Sequence, residues 1–224
     1  NIEVILSFIL SGLFMYGLMW FISGESGVAI FSGIIYAFSP YHFARAWQHI
    51  GLTHIQWIPL YVYALLKMKK DANLRTTIFL SSALFLVASF DYYYLYFTLL
   101  VTVFFWMYCL VADIKNSKKL TLRIILSMAL TGSIIVKILW PFIKTHLLTA
   151  QAKAVSVWGL RRPFEDLFSQ SARPLNYLLP SPEHPFLGWL AKGFVGTDIY
   201  GMSLTEHALY LGWVPLALAF VAFR

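Results

Sequence analysis

Charge is scarce in this chain. Asp, Glu, Lys and Arg make up 12% of its 224 residues, where a soluble domain carries about a quarter. That shortage excludes an ordinary soluble domain. Cysteine is scarcer still: Cys109 stands alone inside an apolar run, so no internal disulfide can form. Short alternating strands are missing, which argues against a transmembrane β-barrel. No Walker A, GxGxxG or GxSxG pattern occurs, which removes the familiar nucleotide-binding and serine-hydrolase signatures. There is no repeat, no low-complexity tract and no Arg-rich voltage-sensor helix. Carboxylates are few, ten against seventeen Lys and Arg, for a net charge of +7. In so apolar a chain, basic loops facing the cytoplasm account for that excess better than nucleic acid does. No nucleic-acid partner is expected.

What the chain has is apolar length. Hydrophobic residues make up 59% of it, and the runs recur along most of the sequence, so they are no signal peptide ahead of a soluble domain. A crossing helix needs roughly 20 apolar residues, with a range of about 17–25. The candidates are residues 2–22, 28–44, 52–67, 75–90, 93–112, 121–145 and 208–223. The expectation is an all-α, polytopic membrane helical bundle of about seven segments. Residues 1–145 form its core with about six of them, 146–207 an ordered extracytoplasmic loop region, and 208–224 the start of a further helix. The sequence opens on Asn1 and stops at Arg224 straight after an apolar run, so it is expected to be an internal piece of a longer protein.

Two short loops orient these segments. "KMKKDANLR" carries Lys67, Lys69, Lys70 and Arg75; "DIKNSKKLTLR" carries Lys115, Lys118, Lys119 and Arg123. By the positive-inside rule both are cytoplasmic. The join at Asp91 then lies outside, with residues 45–51 and 146–206. All six histidines fall on that outer side, with Asp91, Glu165, Asp166, Glu183, Asp198 and Glu206. The positive-inside argument used none of these residues, so their one-sidedness independently suggests a polar site at the extracytoplasmic face of a cell membrane.

Three clusters are candidates for that site. In "SPYHFARAWQHIGLTHIQW", Pro40 can end or kink the preceding helix. His42, Arg45 and His49 follow at spacings of three and four, one face of a helical turn, and His54 comes after Gly51. They suit a phosphate or a sugar; the plain alternative is an interfacial stretch at headgroup depth. No HxxxH or HExxH pattern occurs, and no histidine metal site is expected. In "SFDYYYLYF", Asp91 is the only carboxylate from Ala72 to Ala112. It is either a functional acid or a solvated cap for the next helix. Tyr93 and Tyr94 are candidates for sugar contact; the alternative for the tyrosines is an interfacial belt. The third cluster is the segment 146–206, rich in proline and aromatics, too polar to span and too aromatic for a flexible linker. Its Arg161, Arg162 and Arg173 suit a phosphate or pyrophosphate, or lipid headgroups.

"IIYAFSPYHFARAWQHIGLTHIQWIPLYVYAL", "SFDYYYLYF", "RPLNYLLPSPEHPFLG" and "EHALYLGWVPLAL" resemble a group of large bacterial and archaeal multi-pass membrane proteins similar to the C-type glycosyltransferase superfamily. The resemblance implies sugar transfer from a polyprenyl-phosphate donor to a saccharide, lipid or protein acceptor at the outer membrane face. It implies an essential acid in a first outer loop, expected upstream of Asn1. Asp91 is then a second carboxylate, or a ligand for a divalent metal. Sugar transfer needs a base for the acceptor hydroxyl and stabilisation of the leaving phosphate. Asp91 and Glu206 suit the first task; His42, Arg45, His49, Arg161 and Arg162 suit the second. The competing readings are a transporter or flippase for a lipid-linked saccharide, which would place polar groups near the midplane, and a non-catalytic assembly protein.

Overall fold

Each turn residue ends one helix and starts the next. Gly24 takes a left-handed φ of 72° behind the first helix, the conformation glycine supplies without strain. Ser39 and Pro40 interrupt the second apolar run: proline lacks the N–H a continuous helix needs, and the Ser39 hydroxyl accepts from the His42 N–H at 3.3 Å. Asn73 and Thr76 exchange side-chain bonds with each other's backbone N–H, a capping box. In the computed structural model, residues 2–112, 114–147, 163–202 and 207–222 are described, and every regular element among them is a helix. In order these are α1 (Ile2–Ser23), α2 (Ser26–Ala37), α3 (Pro40–Gln48), α4 (Ile50–Thr53), α5 (Trp57–Lys70), α6 (Leu74–Phe90), α7 (Tyr92–Ala112), α8 (Ile114–Leu147), α9 (Glu165–Gln170), α10 (Pro174–Leu178), α11 (Trp189–Lys192) and α12 (Trp213–Ala222).

Four stretches are long and apolar enough to cross a membrane: Ile2–Ser23, Ser26–Gln48, Tyr92–Ala112 and Ser117–Pro141. The second reaches that length only across the break at Phe38 and Ser39. The other expected segments are shorter as helices. That over 52–67 begins at Trp57 and ends in three lysines; α6 has 17 residues and α12 has 10. Along α1, Ile5, Ile9, Leu13 and Trp20 are exposed while Ser7 and Ser11 are buried. Helices that turn large apolar side chains outward and hydroxyls inward are built for a hydrocarbon solvent.

The chain divides into two units. Unit 1 holds the described residues up to Ala37 and from His54 through α8; unit 2 holds Phe38–Thr53 and the described residues from Pro163 onward. This division does not follow a boundary at residue 145, because α3 and α4 group with the later segment.

Within unit 1, small residues and hydroxyls join the helices. α2 buries Ala29, Gly33 and Ala37, one small residue per turn. A Cβ on Gly33 would stand 2.8 Å from the Gly12 carbonyl oxygen of α1, so the two backbones touch directly. Tyr61 of α5 and Thr102 of α7 share a hydrogen bond at 2.5 Å. Ser81 of α6 and Thr131 of α8 share one at 2.9 Å. Such interhelical bonds stand in where lipid removes the hydrophobic drive between helices.

Helix direction sorts the charges of unit 1. Phe14 and Phe21 of α1 meet Trp57 and Tyr63 of α5, in the same order along both helices. Trp57 and Tyr63 meet Phe90 and Phe79 of α6 in reverse order. One end of the unit therefore gathers Glu3, His54, Gln56, Phe90 and Asp91. The other gathers Phe21, Lys69, Lys70, Tyr108 and Lys119.

Candidate functional site

The acid-bearing end of unit 1 is a connected polar group. Ser7 Oγ donates to Gln56 Oε1 at 3.0 Å, and Gln56 Nε2 lies 3.1 Å from His54 Nδ1. The His54 ring rests 4.2 Å from that of Phe90. His54 sits in the connector ahead of α5. Burial lowers its imidazole below the ordinary value, and the Glu3 carboxylate opposes that shift. Two buried donors on the same helices, the Ser11 hydroxyl and the Trp57 indole N–H, have no hydrogen-bond partner among the described residues.

Asp91 serves two helices at once. Its N–H donates to the Val87 carbonyl and closes α6. Its Oδ1 accepts from the N–H groups of Tyr93 at 2.7 Å and Tyr94 at 3.2 Å and opens α7. An anion is favoured at that position by the helix dipole. Oδ2 has no partner among the described residues. The tyrosines after it face different ways, as a rotation of about 100° per residue requires. Tyr94 is buried; Tyr92, Tyr93 and Tyr96 are exposed.

In unit 2, α3 has two faces. His42 and Arg45 are buried, and the Arg45 guanidinium stands 5.1 Å over the Tyr41 ring. α3 ends at Gln48, and His49 is its C-cap, exposed, at φ −132° and ψ 79°. Of the three residues expected on one face, His42 and Arg45 are buried and His49 is exposed. The opposite face carries Pro40, Phe43, Ala44, Trp47 and Gln48 at helical spacing. With Ser181, Glu183, His184, Pro185 and Ala208 it lines a cleft of about 650 Å³. Trp47 is 85% exposed, so its indole face is open to a ligand.

The far wall of the cleft is fixed by its own turn. His184 Nδ1 accepts from the N–H groups of Phe186 at 3.2 Å and Leu187 at 3.1 Å. Two donors aimed at Nδ1 place the neutral ring's proton on Nε2. Gly188 closes the turn: a Cβ there would stand 2.2 Å from the Pro182 carbonyl oxygen.

Arg173 is a structural clamp rather than a phosphate ligand. Its Nε donates to the Asp198 carbonyl at 2.5 Å, one terminal nitrogen to Ser171 at 3.1 Å and the other to Phe168 at 2.8 Å. Asn176, fully buried, extends the clamp by donating to the Tyr200 carbonyl at 2.9 Å. Burial pushes the Tyr200 phenol upward. Arg173→Lys is expected to cost about 1–3 kcal/mol of stability, since one ammonium cannot serve three divergent carbonyls. Thermal unfolding in detergent checks this; an unchanged melt would count against the clamp.

Glu206, Arg161 and Arg162 lie outside the described residues. Among the described residues no three His, Cys, Asp or Glu side chains converge as a metal site requires. Sequence reasoning passed over Gln56 and Trp57, and it passed over the cleft. The signal for the cleft was present in the spacing of Phe43, Ala44 and Trp47. Comparison with protein-family models, curated proteins and solved structures finds no match.

Proposed function

We propose that this chain is a membrane glycosyltransferase, moving a sugar from a polyprenyl-phosphate donor to an acceptor at the extracytoplasmic face. The observation that carries the proposal is the cleft of unit 2. A sugar presents C–H groups on its ring faces and hydroxyls around its rim. Trp47 and Phe43 suit the faces; the Glu183 carboxylate, the Gln48 amide and the His184 Nε2–H suit the hydroxyls. The topology that goes with it has about seven crossings, with the lysine-rich end of unit 1 in the cytoplasm. In the transfer itself, a carboxylate takes the acceptor hydroxyl's proton, the new C1–O bond forms, and the bond from C1 to the phosphate oxygen breaks. Asp91 is the candidate base. His49, with Arg45, Arg161 and Arg162, supplies candidates for meeting the phosphate charge.

The test uses the intact protein in proteoliposomes with a polyprenyl-phosphate sugar. Trp47→Ala is expected to raise the acceptor KM about tenfold, the equivalent of ~1.4 kcal/mol, with kcat little changed. Absence of transfer by the wild-type protein across donors would overturn the proposal and leave transport of a lipid-linked saccharide or an assembly role.

A further inference from the structure

The lysine-rich end of unit 1 holds a second cavity, of about 290 Å³, that the transfer reaction does not use. Lys69, Lys70, Asp71 and Ala72 line it from the end of α5, Cys109 from α7, and Ser117, Lys119 and Leu120 from α8. Three ammonium groups thus face one carboxylate. Asp71 already accepts from the Asn73 side-chain amide. Lys69 lies 4.8 Å over the Tyr108 ring and Lys70 lies 5.8 Å from that of Phe21. Those contacts place the ammonium groups over neutral rings, which add no negative charge, so the excess positive charge stays unbalanced. No ion pair neutralises these lysines among the described residues.

An apolar groove continues from this cavity. Thr102, Val103 and Trp106 of α7 and Thr121, Ile124, Ile125 and Met128 of α8 line about 190 Å³ of it. Thr102, Trp106 and Cys109 follow one another at four and three residues, as do Ser117, Thr121, Ile124 and Met128 at four, three and four. Groove and cavity therefore lie along one seam of the α7–α8 pair. Cys109 stands near the end of one candidate span, and Ser117 begins another. The cavity is thus at headgroup depth and the groove at acyl depth.

We propose that this seam binds an anionic membrane phospholipid, its phosphate among Lys69, Lys70, Lys119 and Ser117 and an acyl chain along the groove. A basic pocket between membrane helices is suited to such a headgroup. A free phosphate lacks the acyl chain that fills the groove and is expected to bind too weakly to occupy the cavity.

Cys109, buried in the cavity wall, reports occupancy through its rate of alkylation. The intact protein is placed in nanodiscs of phosphatidylcholine, with or without dioleoyl phosphatidylglycerol, and alkylated with a small uncharged reagent. Phosphatidylglycerol is expected to slow alkylation, and inorganic phosphate to leave it unchanged. Lys69→Gln and Lys119→Gln should each weaken the phosphatidylglycerol effect about fivefold in half-saturating lipid fraction. Lys118→Gln, whose lysine does not line the cavity, is expected to leave it intact; circular dichroism confirms that each variant is folded. Equal protection by phosphatidylcholine, equal loss in Lys118→Gln, or full protection by inorganic phosphate would each overturn the proposal.

Discussion

Gly33→Leu is expected to break the α1–α2 pair and cost about 2–3 kcal/mol or more of stability. The contact has no room to give on one side: the nearest atom to a Cβ at Gly33 is the Gly12 carbonyl oxygen, at 2.8 Å, with the next two at 3.6 Å. That oxygen belongs to helix backbone and cannot rotate away. In lipid the loss is compounded, because close backbone approach is itself the main attraction between such helices. Ala29 and Ala37, one turn to either side and fully buried, would be pulled from their contacts as the helices part. Gly17→Leu is the control. It lies on the partner helix, α1, with nothing within 4 Å of an added Cβ, and it is expected to be tolerated. Unfolding in a graded series of denaturing detergent compares the two. Equal midpoints for Gly33→Leu and Gly17→Leu would remove the argument for a direct backbone contact.

Much of the helical framework was legible because its punctuation is local. Asn73 and Thr76 are three residues apart, Pro40 carries its own veto on a continuous helix, and Asp91 meets the N–H groups of the next turn. The one-sidedness of charge was legible too: in unit 1 Lys69 and Lys70 of α5 and Lys119 of α8 share one end, while His54 and Asp91 share the other. The length of each helix was harder to read. Hydropathy marks 52–67 as one apolar segment, but Thr53, His54 and Gln56 spend their side chains on hydrogen bonds ahead of it, and α5 starts only at Trp57.

The candidate site was less legible, for a different reason. Spacing placed His42, Arg45 and His49 on one face, on the premise that the helix continued through His49. It ends one residue earlier, at Gln48, and His49 is exposed where His42 and Arg45 are buried. Arg173 looked like Arg161 and Arg162 in composition. Its three carbonyl partners, Phe168, Ser171 and Asp198, are a matter of folded geometry, the last being 25 residues away. The cleft pairs α3 with Ser181–Pro185, more than a hundred positions along the chain. No periodic pattern within either stretch names the other.

Asp91→Asn is expected to cut sugar transfer by roughly a hundredfold or more while leaving the fold nearly unchanged. The two halves of that expectation rest on different atoms. Oδ1 accepts the Tyr93 and Tyr94 N–H groups. An asparagine oxygen can accept the same two bonds, and asparagine caps helices about as well as aspartate. What the substitution removes is the charge, worth about 0.3–1 kcal/mol against the helix dipole at an exposed end. As a general base, however, the carboxylate would supply about 10²–10⁴ in rate, and a neutral amide cannot replace it. Asp91→Ala separates the effects from the other direction. It removes both cap and base, so it should lose the same transfer activity and about 1 kcal/mol of stability besides. Transfer is measured in proteoliposomes at matched folded protein, with unfolding followed in parallel. If Asp91→Asn transfers sugar near the wild-type rate while Asp91→Ala only melts earlier, the carboxylate is a cap alone. The base would then have to be sought elsewhere, with Glu206 the next candidate to substitute.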